Sequence, residues 1–249
     1  IPEITITNDT SIDITMLAGF TVSGLVRQPN LTPVFNADFD FINSVTGVLV
    51  STPSDNTAAD GSYLVLVPQG TYDIRVTPLF TDGLVPIEVL NVPITGNTVM
   101  NFTVSPGHVI SGTVTGPARA PVAGADIDLI NTATGAKLFT PSDNTNSMGQ
   151  YQLLAVTGMY DVVAKPPVAT HLAPVVIDSI SVNSATVVNA VVPSGFLLSG
   201  TVRNSNLAPV ANVDIDAALS LTGVDAFLTG DNTDAAGNYT IGNLVAGTY

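Results

Sequence analysis

The pentapeptide Ala37-Asp38-Phe39-Asp40-Phe41 alternates strictly between apolar and acidic residues. Successive side chains of a β-strand point to opposite faces of a sheet. We therefore predict a strand here, with its three apolar side chains in a core and its two aspartates facing outwards. Residues 44–47 predict a hairpin turn, after which residues 48–52 return antiparallel. Counting across this turn places residue 40 opposite residue 51, and residue 38 opposite residue 53.

The residues around this hairpin are also typical of short strands separated by turns. Runs rich in Val, Ile and Thr are divided by Gly, Pro, Asn and Asp about every ten residues. Seven strands follow from this pattern, at residues 20–27, 37–41, 48–52, 63–67, 71–77, 87–94 and 99–104. The fold class predicted is therefore all-β, an immunoglobulin-like or transthyretin-like sandwich of two sheets.

The sequence repeats itself with a constant spacing of 88 residues. Ser23-Gly24 recurs 88 and 176 residues later, and so does the tripeptide Asp55-Asn56-Thr57. The predicted domains are a first module at 20–107, a second at 108–195 and an incomplete third at 196–249. Residues 1–19 align with 89–107 and correspond to the terminal strands of a preceding or neighbouring module. Positions 88 residues apart are called equivalent below.

The incomplete modules at the two ends allow two interpretations. The chain is a window from a longer repetitive polypeptide, or residues 1–17, from Ile1 to Leu17, insert into the open third module of another copy. The second interpretation gives a head-to-tail homopolymer, because a heterologous contact between identical subunits produces an open filament. Both interpretations predict an elongated assembly.

Composition and charge restrict the partners of the chain. Its 249 residues are 45% hydrophobic and carry a formal net charge of −14, with no cysteine. An acidic surface repels nucleic-acid phosphates and anionic lipids, so we expect neither partner. The longest apolar runs are about 5 residues, so we expect no membrane span. Cations are the small partners that such a charge favours.

Acidic and amide residues recur in all three modules and suggest a cation site. The hairpin register should bring the aspartates of the second strand near the Asp-Asn-Thr loop, and Ca²⁺ prefers such oxygen ligands. The candidate Ca²⁺ ligands are Asp38, Asp40, Asp55 and Asn56; Asp126, Asp128, Asp143 and Asn144; and Asp214, Asp216, Asp231 and Asn232. The alternative is structural: the loop forms Asx turns and the strand aspartates keep one face soluble.

Catalytic chemistry is not indicated by the sequence. His108 and His171 lie outside the repeat pattern, and no phosphate loop, nucleophile elbow or zinc spacing occurs. We therefore predict that the protein is not an enzyme.

Asn30 starts an Asn-x-Thr sequon in a predicted turn and is a candidate glycosylation site.

The modules resemble the carboxypeptidase regulatory-like (transthyretin-like) domain and the related Cna protein B-type repeat. The resemblance covers nearly the whole chain and rests on four segments, Val109-Ile110-Ser111-Gly112-Thr113-Val114, Pro121-Val122-Ala123-Gly124-Ala125, Asp143-Asn144-Thr145…Gly149-Gln150-Tyr151 and Gly158-Met159-Tyr160-Asp161-Val162. Such domains are non-catalytic and serve as stalks of surface proteins or as accessory domains of enzymes.

Three functions are compatible with these observations. The first is a structural segment of an extracellular filament or stalk, which the regular modules favour. The second is a surface adhesin or carbohydrate-binding array, and the third is an accessory region of a larger exported enzyme.

Overall fold

The computed structural model describes residues 5–9, 11, 18–218 and 232–249. Within these ranges the chain forms β-strands and three short 3-10 helices, at Phe80–Asp82, Pro117–Arg119 and Val168–Thr170. The predicted all-β sandwich class is confirmed. Contacts divide the chain into two compact units, Ile1–Val76 with Glu88–Thr103, and Thr77–Ile87 with Val104–Tyr249.

The first unit contains two sheets. Its strands are β1 (Gly19–Arg27), β2 (Asp38–Asn43), β3 (Leu49–Val50), β4 (Ser62–Pro68), β5 (Gly70–Thr77), β6 (Ile87–Ile94), β7 (Thr98–Val99) and β8 (Phe102–Thr103). One sheet has the order β4-β1-β7, with β8 also paired to β1, and the other has the order β3-β2-β5-β6. Strand β1 is antiparallel to β4 and parallel to β7 and β8.

Aromatic packing joins these two sheets. Phe39 of β2 stacks on Tyr63 of β4 with ring centroids 4.1 Å apart, and Phe102 of β8 meets Phe39 edge-on at 5.6 Å. Phe39 and Phe41 are almost completely buried, so the apolar half of the alternating pentapeptide faces the core as predicted. Such aromatic contacts contribute about 0.5–1.5 kcal/mol beyond the burial of their area.

The second unit repeats the arrangement. Its strands are β9 (His108–Thr115), β10 (Asp126–Asn131), β11 (Gln150–Ala155), β12 (Gly158–Lys165), β13 (Val175–Val182), β14 (Thr186–Val187), β15 (Ala190–Val191), β16 (Phe196–Thr201) and β17 (Asn238–Leu244). The sheets are β11-β9-β14 with β15 also paired to β9, then β10-β12-β13, then β16-β17. Ile110, Tyr151 and Leu129 lie in one core between the first two sheets.

The hairpin register agrees with the sequence. Phe41 pairs with Val50 and Ile42 with Leu49, which places residue 40 opposite residue 51. Strand β6 has the predicted bounds. Strand β3 is shorter than expected. The last strand of the first module divides into β7 and β8, and between them the side-chain oxygen of Asn101, rather than a backbone carbonyl, accepts the amide of Leu25.

Candidate functional site

The second-module aspartates converge on one point. The carboxylates of Asp126, Asp128 and Asp143 have oxygens within 4.8 Å of one another. Strand β10 supplies the first two, and the loop before β11 supplies the third. Asn144 is exposed, and its amide group donates to the carbonyl of Gly124 at 3.3 Å. The structure therefore brings the three carboxylates together and directs the amide nitrogen elsewhere.

Two lysines form ion pairs with two of these three carboxylates. The ammonium groups of Lys137 and Lys165 both contact the carboxylate of Asp128, and Lys165 lies 3.9 Å from Asp126. Alternation predicted that Asp128 faces solvent, and that prediction is wrong, because the residue is only 2% exposed beneath the lysines. Burial lowers the pKa of Lys137, but its hydrogen bond and attraction to Asp128 outweigh this and leave the pKa raised.

Burial and the neighbouring negative charges act in the same direction on the pKa of Asp143. Its pKa is raised, first because burial disfavours the charged carboxylate and then because Asp126 and Asp128 repel it. The hydroxyl of Thr140 opposes this shift by donating to its carboxylate at 2.7 Å. The cluster thus holds negative charge that the two lysines only partly stabilise.

In the described part of the chain, carboxylate oxygens converge in this way in the second module only, and the first module has no lysine at the corresponding positions. Leu49 and Thr77 occupy the positions equivalent to Lys137 and Lys165. The pKa of Asp38 is raised by burial and then by the negative charges of Asp55 and Asp40. Asp38 is exposed and the other two are half-buried. Asn56 is exposed.

The third-module residues do not form a described cluster. Asp214, Asp216 and Asn232 are exposed, and Asp231 lies outside the described residues.

The candidate glycosylation residue Asn30 is exposed in a turn, where its side-chain oxygen accepts the amide of Thr32 at 3.1 Å.

The residue that the sequence analysis missed is the threonine of the Asp-Asn-Thr tripeptide. Thr145 is buried, accepts the amide of Ala125 at 2.8 Å and donates to the carbonyl of Val122 at 2.6 Å. Thr57 and Thr233 make the same pair of hydrogen bonds in their modules. The recurrence of threonine in all three tripeptides was the available signal, and it marks a structural clasp that a cation does not explain.

An open strand edge distinguishes the third module. Strands β1 and β9 each pair on one side with two short strands that run parallel to them. Among the described residues, β16 pairs with β17 alone. Leu198 of β16 is 44% exposed, while the equivalent Val22 and Ile110 are fully buried. Phe196 is 59% exposed. This edge presents exposed apolar side chains and, among the described residues, no strand is paired to its second side, which is the arrangement that accepts a further strand.

The first two modules show what such an edge binds. The amide of Met100 donates to the carbonyl of Ser23 at 2.8 Å, and the side-chain oxygen of Asn101 accepts the amide of Leu25 at 2.9 Å. Val188 and Asn189 make the equivalent bonds to β9 at 2.8 and 3.0 Å. The corresponding groups of β16 are the Ser199 carbonyl and the Thr201 amide.

A neutral cleft of about 820 Å³ lies in the second unit. It is lined by hydroxyl and amide side chains of the outer sheet face, including Ser111, Gln152 and Asn189, and by the ring of Phe80. None of its lining residues has an acidic carboxyl or a basic side chain. These groups favour a neutral polar ligand over a charged one.

Comparisons with known proteins identify no family. No protein-family model matches the chain, and no curated protein matches it. No helix in the described part of the chain has the length and apolar character needed to span a membrane.

Three solved structures illustrate the similarities found, each at low sequence identity. The Bacillus anthracis TIE protein matches at 12% identity over 90% of this chain and 43% of its own, with a TM-score of 0.29. A streptococcal ancillary pilin matches at 14% identity over 72% of this chain and 63% of its own, with a TM-score of 0.28. The shaft pilin SpaA of Lactobacillus rhamnosus GG matches at 12% identity over 73% of this chain and all of its own, with a TM-score of 0.32. Such scores carry no argument about function.

Proposed function

We propose that this protein is a structural segment of an extracellular filament or stalk, in which β16 pairs with a parallel strand supplied by a neighbour. The observation that carries the proposal is the exposure of Leu198, at a position that is buried in both other modules. Filling this edge removes apolar surface from water and satisfies backbone groups. The neighbour is a continuation of the polypeptide or another copy of the chain.

The N-terminal sequence has the pattern that this edge requires. Asp13 aligns with Asn101, so its carboxylate provides an acceptor for the amide of Thr201. Ile14 and Met16 align with Phe102 and Val104, which are buried apolar residues of the first module. Strand addition of this kind obtains affinity from main-chain hydrogen bonds and specificity from alternate side chains.

A synthetic peptide of residues 1–19 tests the pairing directly. We expect the labelled peptide to bind the full chain, and its Ile14→Asp, Met16→Asp form to fail because both charges would enter the core. Electron microscopy at high protein concentration should show fibres with a module-scale repeat if the neighbour is another copy. A peptide that does not bind, or that binds as well with both aspartates, contradicts strand pairing.

Gly200→Ala gives a matched protein control for this experiment. A methyl group at the equivalent Gly24 or Gly112 would lie 1.7 or 1.8 Å from the carbonyl oxygen of the paired strand. The change at Gly200 should therefore block the incoming strand, while Thr240→Ala, at an exposed position of β17, should not. Equal peptide affinity for the two variants contradicts the proposed register.

We also propose that calcium, as a cation that stabilises the filament, binds the first module. Burial and then the negative charges of Asp55 and Asp40 raise the pKa of Asp38. Leu49 and Thr77 stand where the second module has lysines. In the second module the ammonium groups already occupy the cluster.

Glycosylation at the exposed Asn30 is likewise a proposal, which the intact mass of the natural protein tests.

Binding of a neutral glycan is a second candidate function. The observation that favours it is the uncharged cleft beside Phe80, which combines a ring with amide and hydroxyl groups on a strongly acidic chain. Titration with neutral oligosaccharides should perturb the NMR signals of Gln152 and Ser111. Gln152→Leu introduces the residue that the first module has at the equivalent position 64, and it should abolish the perturbation of the NMR signals. No perturbation by any neutral oligosaccharide eliminates this candidate.

A further inference from the structure

The outer face of β4 in the first module is unusually apolar. Tyr63, Val65 and Val67 point into the core, whereas the alternating Leu64 and Leu66 are 65% and 60% exposed. Exposed leucines that lie together on a sheet indicate an interaction surface. The other two modules show what covers the equivalent face.

In the second module the equivalent of Leu66 is covered. Leu154 is 4% exposed although its neighbours Leu153 and Ala155 are the core-facing residues of β11. It lines the same cleft as Phe80 and Leu84, which belong to the connection between β5 and β6. This connection is also tied to the start of β9, because the amide of Gly107 donates to the carbonyl of Gly83 at 2.8 Å.

The third module shows the same contact with different residues. Gly242 is equivalent to Leu66 and is buried. A methyl group at this glycine would lie 2.3 Å from Cγ1 of Val168, a residue of the connection between β12 and β13. Val168 is itself equivalent to Phe80. The connection after the fifth strand of one module therefore packs on the outer sheet face of the next, twice within the second unit.

We propose that the face around Leu66 binds the same connection from a preceding module of this type. The occupant is an apolar segment with a 3-10 turn, like Thr77–Ile87, and the two copies present in the described chain are already engaged with β11 and β17. The contact lies on the sheet face and is independent of strand pairing at β16. It makes the modules a stack in which each one covers the next.

Cysteine labelling tests this contact, because the chain contains no cysteine. An extended chain is made by replacing residues 1–19 with residues 108–195, which keeps the 88-residue phase and the natural junction before Phe20. We expect Leu66→Cys to react rapidly with a maleimide in the 249-residue protein and about tenfold or more slowly in the extended chain, since a buried thiol reacts only when the contact opens.

Two positions serve as matched controls. Leu64→Cys should react rapidly in both chains, because its equivalent Gln152 stays exposed beside the connection. Leu154→Cys should react slowly in both. Equal rates for Leu66→Cys in the two chains overturn the proposal, as does rapid labelling of Leu154→Cys. Slowing of Leu64→Cys together with Leu66→Cys also overturns it, because that result indicates unspecific burial.

Discussion

Replacing Gly112 by alanine tests how the parallel strands close a module. The new methyl group would lie 1.8 Å from the carbonyl oxygen of Val188 and 2.7 Å from its carbon. This backbone must therefore move by more than 1 Å to restore normal contact distances, which is the kind of backbone shift that overpacking a core produces. The hydroxyl of Tyr151 donates to the same carbonyl at 2.7 Å, so the displacement also disturbs a buried hydrogen bond.

The expected cost follows from these two contributions. Overpacking a core costs about 1–3 kcal/mol and a hydrogen bond contributes about 1 kcal/mol, which gives about 2–4 kcal/mol in total. At about 4–8 °C per kcal/mol for a small domain, the melting temperature of the second module should fall by about 10–30 °C. Differential scanning calorimetry of the full chain measures this loss.

Gly200→Ala is the internal control for this calculation. The three described atoms nearest to its methyl group would be the hydroxyl oxygen and two ring carbons of Tyr239, at 2.7–2.9 Å. The ring of Tyr151 is equally close to Gly112, so the two variants differ in the strand carbonyl. We expect a shift of a few degrees or less for Gly200→Ala. Equal shifts for the two variants, or a shift near zero for Gly112→Ala, would refute the reasoning.

Three further predictions concern the loop and the acidic clusters. Thr145→Val should destabilise the second module by about 2–4 kcal/mol in urea unfolding, because it leaves a buried amide and a buried carbonyl without partners; a cost below that of the exposed control Thr132→Val would contradict the clasp. Chelation of Ca²⁺ should lower the melting temperature of the first module, and Asp40→Asn should remove this effect. The double variant Lys137→Leu, Lys165→Thr should make the melting temperature of the second module sensitive to chelation too. If chelation changes the melting temperature of none of these forms, the calcium proposal is wrong. The raised pKa of Asp143 means that the folded state binds the carboxyl proton more tightly than the unfolded state does. The ionised carboxylate therefore destabilises the fold at neutral pH, and this effect is lost as the pH falls through the raised folded-state pKa towards the unfolded-state pKa. Asp143→Asn should raise the unfolding free energy at pH 7 by an amount that shrinks towards pH 4, and a difference that stays constant with pH would refute this.

The sequence determined the properties that depend on local periodicity and on repetition. Strict alternation placed Phe39 and Phe41 in a core, and the hairpin placed residue 40 opposite residue 51. These predictions succeed because the direction of a side chain on a strand, and the register across a short turn, depend on neighbouring residues only.

Tertiary structure decided which of the outward-facing residues are covered. Alternation points Asp128 and Leu154 away from the core as it does Leu66, yet the first is buried under two lysines and the second is covered in the second unit. Likewise, Thr145 became recognisable as a clasp only when its two backbone partners were seen. The physical reason is that burial of an outer face depends on segments far away in the sequence, whose arrival no local pattern records.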